Sequence, residues 1–80
     1  MKLRVKYFGM LAEAIGKQEE LVEVTSQQIS VSDLTLMLLK KYPPLNLMSF
    51  KVALNQTIVG KNDMIIERDE IALLPPFAGG

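Results

Sequence analysis

The chain contains no cysteine, no histidine and no tryptophan. Without Cys or His it has no zinc site of the Cys/His type, no iron–sulfur cluster, no haem ligand and no disulfide. Cysteine nucleophiles and histidine general bases are excluded with them, and so are most hydrolase constellations. Neither sign of charge is in excess: nine Lys+Arg stand against nine Asp+Glu. No basic footprint therefore argues for nucleic acid. Long apolar runs are also missing. Before the C-terminus the longest is four residues, Leu36 to Leu39, against the ~20 that a bilayer span needs. Charges interrupt every second residue after Met1, which excludes a signal-peptide core and leaves a soluble cytoplasmic protein as the expectation.

What is present fits one small domain. Eighty residues, 49 % of them apolar, should bury about 63 % of the unfolded chain's surface. That core is thin, yet it should form without a metal or a disulfide.

Leu3, Val5 and Tyr7 alternate with Lys2, Arg4 and Lys6, the period of a half-buried strand whose basic face is solvated. Phe8 breaks that polar face just before Gly9. Met10, Leu11, Ala14 and Ile15 recur at helical spacing, and Gly16 stands where a C-cap would. This predicts a short helix over 10–15. A second strand is expected over 19–25, with Val22 and Val24 on one face and Glu23 on the other. Ser30-x-x-Asp33 is a variant capping box flanked by Ile29 and Leu34. Val31, Leu34, Leu38 and Tyr42 then share a helix face, Lys40 and Lys41 occupy the last turn, and Pro43-Pro44 ends the element. The spacing predicts a helix over 31–42. Leu36 falls nearly opposite the apolar stripe and reads as an exposed leucine, with a partner contact as the alternative.

After a loop containing Leu45 and Leu47, residues 50–55 read as a third strand, followed by a short one around Ile58 and Val59. Asn55-Gln56-Thr57 reads as the turn between them. Lys61-Asn62-Asp63 and Glu67-Arg68-Asp69 carry turn chemistry, and Met64-Ile65-Ile66 is too short to assign alone. The apolar run Ile71-Ala72-Leu73-Leu74 places the last strand, 70–74, at the centre of the sheet. The class is α+β, with one main helix on one face of a mixed sheet. Residues 25–49 are long enough for a crossover, expected to be right-handed.

The chain ends in Pro75-Pro76-Phe77-Ala78-Gly79-Gly80. Two terminal glycines occur by chance about once in 200 sequences, so the dipeptide alone decides little. Its context adds more. The prolines stop the strand and favour an extended path, and Phe77 offers one apolar anchor. Ala78, Gly79 and Gly80 form a tip slim enough for a narrow channel. Residues 75–80 reach about 20 Å when extended. The tip's one functional group is the terminal carboxylate. A carboxylate is a poor acyl donor until another enzyme activates it, for instance as an acyl-adenylate. A frayed terminus or a cloning remnant is the bland alternative. Glycine ends lose the most entropy on ordering, so the unbound tail is expected to be mobile.

Taken in order, several segments carry a resemblance. They are Val5-Lys6-Tyr7-Phe8, Leu11-Ala12-Glu13-Ala14-Ile15-Gly16 and Ser30-Val31-x-x-Leu34. Val52 to Val59, Asp69 to Pro76 and Ala78-Gly79-Gly80 complete the set. Over essentially its whole length the chain resembles the small sulfur-carrier subunits of molybdopterin synthase, the MoaD family of ubiquitin-like β-grasp proteins. The resemblance implies a β-grasp domain over 1–74 and a functional tail over 75–80. It implies that an E1-like, ATP-dependent enzyme adenylates Gly80, which then becomes a thiocarboxylate. It also implies that the tail inserts into the large synthase subunit of a heterotetramer, which acts on cyclic pyranopterin monophosphate. Gly79 and Ala78 would be the insertion segment, and Phe77, Pro76 and Pro75 would orient it. Phe8 and Leu74 would mark an apolar docking face. No cofactor would be bound, ATP being used by the activating enzyme, and neither nucleic acid nor membrane would be a partner. One departure stands out: the family commonly has Asp-Gly-Asp-Glu where this chain has Glu67-Arg68-Asp69-Glu70. If that position needs positive φ, Arg68 costs about 1 kcal/mol. Two other readings stay open: a related carrier or modifier (thiamin synthesis, tRNA thiolation, protein conjugation) and a noncovalent β-grasp interaction module.

Overall fold

The computed structural model describes residues 1–76. A five-stranded mixed sheet has the order β2-β1-β7-β4-β5, and a separate two-stranded sheet pairs β3 with β6. The larger sheet comprises β1 (Lys2–Tyr7), β2 (Glu19–Glu23), β4 (Lys51–Leu54), β5 (Thr57–Val59) and β7 (Glu70–Leu74). The smaller comprises β3 (Gln28–Ser30) and β6 (Met64–Ile66). Two α-helices, α1 (Met10–Ile15) and α2 (Val31–Lys41), and a 3-10 turn over Pro43–Leu47 complete the elements of the described residues. β7 lies parallel to β1 and antiparallel to β4, so the last strand is central, as its apolar run implies.

Strand pleat sorts the side chains. Leu3, Val5, Val22, Val52, Ile71 and Leu73 face one way and meet Val31, Leu34 and Leu38 of α2 in one buried cluster. Leu36, on the opposite side of α2, is 55 % exposed. Ser30 is the N-cap of α2 and its Oγ accepts from the Asp33 N–H at 3.0 Å. Two further orphan donors of that first turn, the N–H groups of Val31 and Ser32, find the carbonyls of Asp63 and Lys61 at 2.9 Å. The small β3–β6 sheet exists to make that possible: it brings the 61–63 turn against the helix start.

The structure corrects four expectations. The second strand ends at Glu23 and not at residue 25, although Val24 is still buried. The main helix stops at Lys41, with Tyr42 as its C-cap. The third strand runs Lys51–Leu54, leaving residues 50 and 55 outside it. The loop carrying Leu45 and Leu47 is helical, because Pro43 and Pro44 at its start fix φ for a tight turn. Leu45 from this turn enters the core.

One carboxylate ties three elements together. Glu20 of β2 is nearly buried, and the hydroxyls of Tyr7 and Tyr42 both donate to its Oε2, Tyr42 at 2.6 Å. Lys41 Nζ donates to Oε1 at 2.9 Å, with Lys17 Nζ 3.5 Å from the same oxygen. The two tyrosine rings meet edge to face, centroids 6.1 Å apart. Burial alone would raise the Glu20 carboxyl, but hydrogen bonds from Tyr42, Tyr7 and Lys41 outweigh it and hold the group at about 2. Burial, then the neighbouring carboxylate, pushes the Tyr7 hydroxyl up; the hydrogen bond to Glu20 raises Lys41.

Two turns use left-handed backbone at residues other than glycine. Asn55 and Gln56, the two-residue β4–β5 loop, have φ of 50° and 73°. That is the type I′ pattern. Asn55 also accepts from the Glu70 N–H and donates to Asp69, joining this turn to the next. The Ile66–Asp69 turn closes with Asp69 N–H on Ile66 O at 3.1 Å, and Arg68 at its third position has φ of 80°. The turn is therefore the one a glycine suits, and Arg68 carries the strain.

Two predictions follow from these features. Arg68→Gly should raise stability by about 1 kcal/mol in urea unfolding; a lower midpoint would mean the turn carries no strain. Glu20→Gln should cost about 2 kcal/mol near neutral pH. Because the folded Glu20 is depressed below the ordinary glutamate value of 4.5, its contribution is complete above that pH and lost as pH falls toward about 2. The gap between wild type and variant should close over that window. A gap independent of pH would refute the assignment.

Candidate functional site

The chain leaves the middle of the sheet, and three segments surround that exit. The β1–β7 ladder continues one step past Tyr7: the Phe8 N–H donates to Leu73 O at 3.2 Å. Phe8 and Leu74 therefore stand on the outer face of the sheet, away from α2. Phe8 is 44 % exposed and Leu74 partly buried. The two residues expected to mark an apolar docking face are neighbours there.

The register extends that face beyond them. Ala72 lies opposite Ala53, and Ala53 opposite Ile58, so two alanines, Ala53 itself buried, connect Leu74 with Ile58 on the edge strand, while Lys51 stands directly opposite Leu74. Ile58 is 49 % exposed. Sequence reading overlooked Ala53, Ala72 and Ile58. Their signal was parity: each falls on the face opposite the core residues Val52, Leu73 and Val59, which only the strand pairing makes visible. The other half of the outer face is charged. There Arg4 lies 3.9 Å from Glu19 and Lys6 3.4 Å from Glu70. These pairs are partly or well exposed and contribute little to stability. They lie on the β1–β2 side of the face, which also exposes Leu21, whereas the side toward the exit is mainly apolar apart from Lys51.

Immediately after Phe8 the chain turns sharply. Gly9 has φ 57° and ψ −132°, and the Leu11 N–H donates to Phe8 O at 3.1 Å. This is a type II′ geometry that requires glycine. The need is doubled by what lies opposite: a Cβ on Gly9 would sit 3.0 Å from Cγ of Pro75. Gly9 thus lets the turn before α1 press against the first proline of the tail. On the side away from Phe8, Pro75 and Pro76 form one wall of an apolar groove with Met10, Leu11, Leu47 and Met48.

Of the residues singled out in the sequence, Phe8, Leu74, Pro75 and Pro76 come together at this exit. Phe77, Ala78, Gly79 and Gly80 lie outside the described residues. Among the described residues no three Asp or Glu side chains converge as a metal site, and none of the helices is long and apolar enough to cross a membrane. Among the described residues, the groups with shifted pKa, Tyr7, Glu20 and Lys41, are engaged with one another in the cluster that holds β1, β2 and α2. The exit offers surface and direction; reactive groups on the described part do not converge on it.

A family model described as the ThiS family matches residues 5–80. A protein of Caenorhabditis briggsae named molybdopterin synthase sulfur carrier subunit is 32 % identical, with 100 % of this chain and 99 % of that one covered. Among solved structures, the small archaeal modifier protein SAMP1 of Haloferax volcanii superposes with a TM-score of 0.81 at 26 % identity, all of both chains covered. A complex of subunits 1 and 2 of the molybdopterin-converting factor of Helicobacter pylori contains a chain matching with a TM-score of 0.69 at 24 % identity, again over all of both chains.

Gly9→Ala should cost about 1–3 kcal/mol, because the side chain is strained by φ and crowded by Pro75. Its NMR shifts should change at Pro75 and Pro76 as well as in the turn. A variant with wild-type stability and unmoved proline signals would show that Gly9 does not seat the tail.

Proposed function

The chain belongs to the ThiS family, and we propose that within it the protein is the sulfur-carrier subunit of a molybdopterin synthase. Its fold is the ubiquitin-like β-grasp that the sequence resemblance implied. The observation that carries the reading is the exit. The central strand β7 runs without a linker into Pro75-Pro76, beside an apolar face, and the sequence beyond ends in Ala78-Gly79-Gly80.

The chemistry proposed for that end uses another protein's catalysis. An E1-like activating enzyme joins the Gly80 carboxylate to the α-phosphorus of ATP and releases pyrophosphate. A sulfur nucleophile at the sulfide level attacks the acyl carbon, AMP leaves, and Gly80 becomes a thiocarboxylate. In the large synthase subunit the thiocarboxylate sulfur attacks a carbon of the pyranopterin substrate, the carbon–oxygen bond at that carbon breaks, and the oxygen departs with its electron pair and takes up a proton. Water then cleaves the acyl–sulfur bond and regenerates the carboxylate. This chain's contribution is delivery. The Phe8–Leu74–Ile58 face would dock on the large subunit, and the prolines would hold the tail extended toward its active site. A tip without bulky side chains would enter a narrow channel, and the β7 anchor sets how far it reaches. The relative from Caenorhabditis briggsae carries the same role in its name, and the Helicobacter pylori structure pairs its similar chain with a subunit 2.

The likeness to SAMP1 supports a second reading, a modifier joined through Gly80 to an amine on another protein. Both readings share the activation step and differ in the nucleophile.

Mass spectrometry after incubation with the activating enzyme, ATP and a sulfur donor distinguishes them. The carrier reading predicts a gain equal to one oxygen-for-sulfur exchange on the intact chain, absent when Gly79 and Gly80 are deleted. An amide-linked conjugate without that gain would favour the modifier. Unmodified mass, under conditions that convert a known carrier, would overturn both.

A further inference from the structure

β2 stands at the edge of the larger sheet, and its free side carries a defined set of groups. In an antiparallel ladder, alternate residues aim both N–H and C=O at the partner strand, and the residues between them aim both away. Met1 and Val24 exchange both bonds at one end of the β1–β2 pair, at 2.5 and 2.8 Å. At the other end the Tyr7 N–H donates to Gln18 O at 2.9 Å. The register makes Leu3–Val22 and Val5–Glu20 the bonded pairs in between. Glu19, Leu21 and Glu23 therefore aim their backbone groups outward, and among the described residues no other segment takes them up. Their side chains share the outer face, with Leu21 59 % exposed between the two exposed glutamates.

Proteins usually blunt such an edge. A proline, a bulge or a covering strand would each do so. Glu19–Glu23 contains no proline, its register with β1 runs without a bulge, and among the described residues no strand lies beyond it. Only the charges remain, and they decide which strand can be added. A second copy is disfavoured: antiparallel pairing about Leu21 would set Glu19 of each chain opposite Glu23 of the other, and like charges directly opposite destabilise a sheet.

We propose that the free edge of β2 accepts an extended, antiparallel segment of another protein, with an apolar residue opposite Leu21 and Lys or Arg opposite Glu19 and Glu23. Charge complementarity carries the choice of occupant. Both carboxylates are open to it: Arg4 and the N-terminal ammonium approach them only to 3.9 Å, and the Glu19 and Glu23 side chains are 54 and 67 % exposed. Main-chain bonds to Glu19, Leu21 and Glu23 supply the affinity, and the alternate side chains supply the selection. This inference stands whether or not Gly80 carries sulfur, because it concerns an edge of the sheet and not the exit of β7.

The test uses the full-length chain labelled with 15N and the end-blocked peptide Ser-Lys-Thr-Val-Thr-Lys-Ser at millimolar concentration. Amide exchange at Glu19, Leu21 and Glu23 is expected to slow when the peptide is added. Exchange at Glu20 and Val22, already bonded to β1, should stay as it was. The same peptide N-methylated at its valine lacks the central donor and should give no slowing at Leu21. A version with Glu in place of both Lys should not bind. Glu19→Gln combined with Glu23→Gln, at exposed positions, should weaken the lysine peptide about fivefold, since two cross-strand charge pairs are lost. The inference is overturned if the lysine peptide does not bind, or if the N-methylated peptide binds equally well, which would leave charge attraction without strand addition. Equal binding of the glutamate version, or signals that move at Phe8 and Leu74 in place of β2, would overturn it too. So would the same slowing in the free chain on raising its concentration, which would make a second copy the occupant. Failure of the mass experiment on Gly80 would leave these results untouched.

Discussion

The pairing of β7 between β1 and β4 is the constraint on which the molecule depends. A strand flanked on both sides has every ladder group paired, and here it also supplies Ile71 and Leu73 to the core. Being parallel to β1, β7 ends at the same edge of the sheet as β1 does. Phe8, the Gly9 turn and Pro75 consequently meet at one place. An antiparallel last strand would send the chain out at the opposite edge, among Lys2 and Arg4. The chain leaves the sheet from a strand paired on both sides, and Pro75 and Pro76 end that ladder.

Around that strand the surface is divided by function. The inner face is committed to α2 and the 3-10 turn. The outer face carries ion pairs toward β2 and is mainly apolar toward the exit, where Ala53 and Ala72 lie between Leu74 and Ile58 and Lys51 stands opposite Leu74. The Glu20 cluster lies on the inner side and serves the fold: it fastens the end of β1 and the end of α2 to the edge strand β2. Its hydrogen bonds explain how an 80-residue chain, with neither disulfide nor histidine, holds an edge strand in register. It also shows why a depressed carboxyl pKa is no sign of catalysis here. Its partners are two tyrosines and two lysines, and its hydrogen bonds join β1, β2 and the end of α2 to one another.

Much of this was legible in the residues, for local reasons. The alternation of β1, the Ser30–Asp33 cap of α2 and the apolar run of β7 each encode their element within a few positions. Arg68 in a turn that suits glycine was visible as a local departure, and its φ of 80° shows the strain that departure implied. What stayed hidden was non-local. β3 and β6 are three residues each and exist only through each other and through the donors at the start of α2. Gly9 needs glycine because Pro75, distant in sequence, packs against it. Ala53, Ala72 and Ile58 become a surface only once register is known. At the site, Phe8 and Leu74 were legible as apolar residues beside the tail, whereas the groove behind Pro75 was not, since it is assembled from α1, the 3-10 turn and the exit.

The absence of cysteine and histidine acquires a sharper meaning beside this geometry. A chain with neither cysteine nor histidine, whose central strand runs directly into Pro75-Pro76, fits the proposed role of a carrier activated by another enzyme. The most direct test is genetic. In a strain lacking the small subunit of molybdopterin synthase, the account predicts that this chain restores molybdenum-enzyme activity and that the chain ending at Ala78 does not. Restoration by the truncated chain, or rescue of a thiamin auxotroph in place of the molybdopterin-deficient strain, would contradict it.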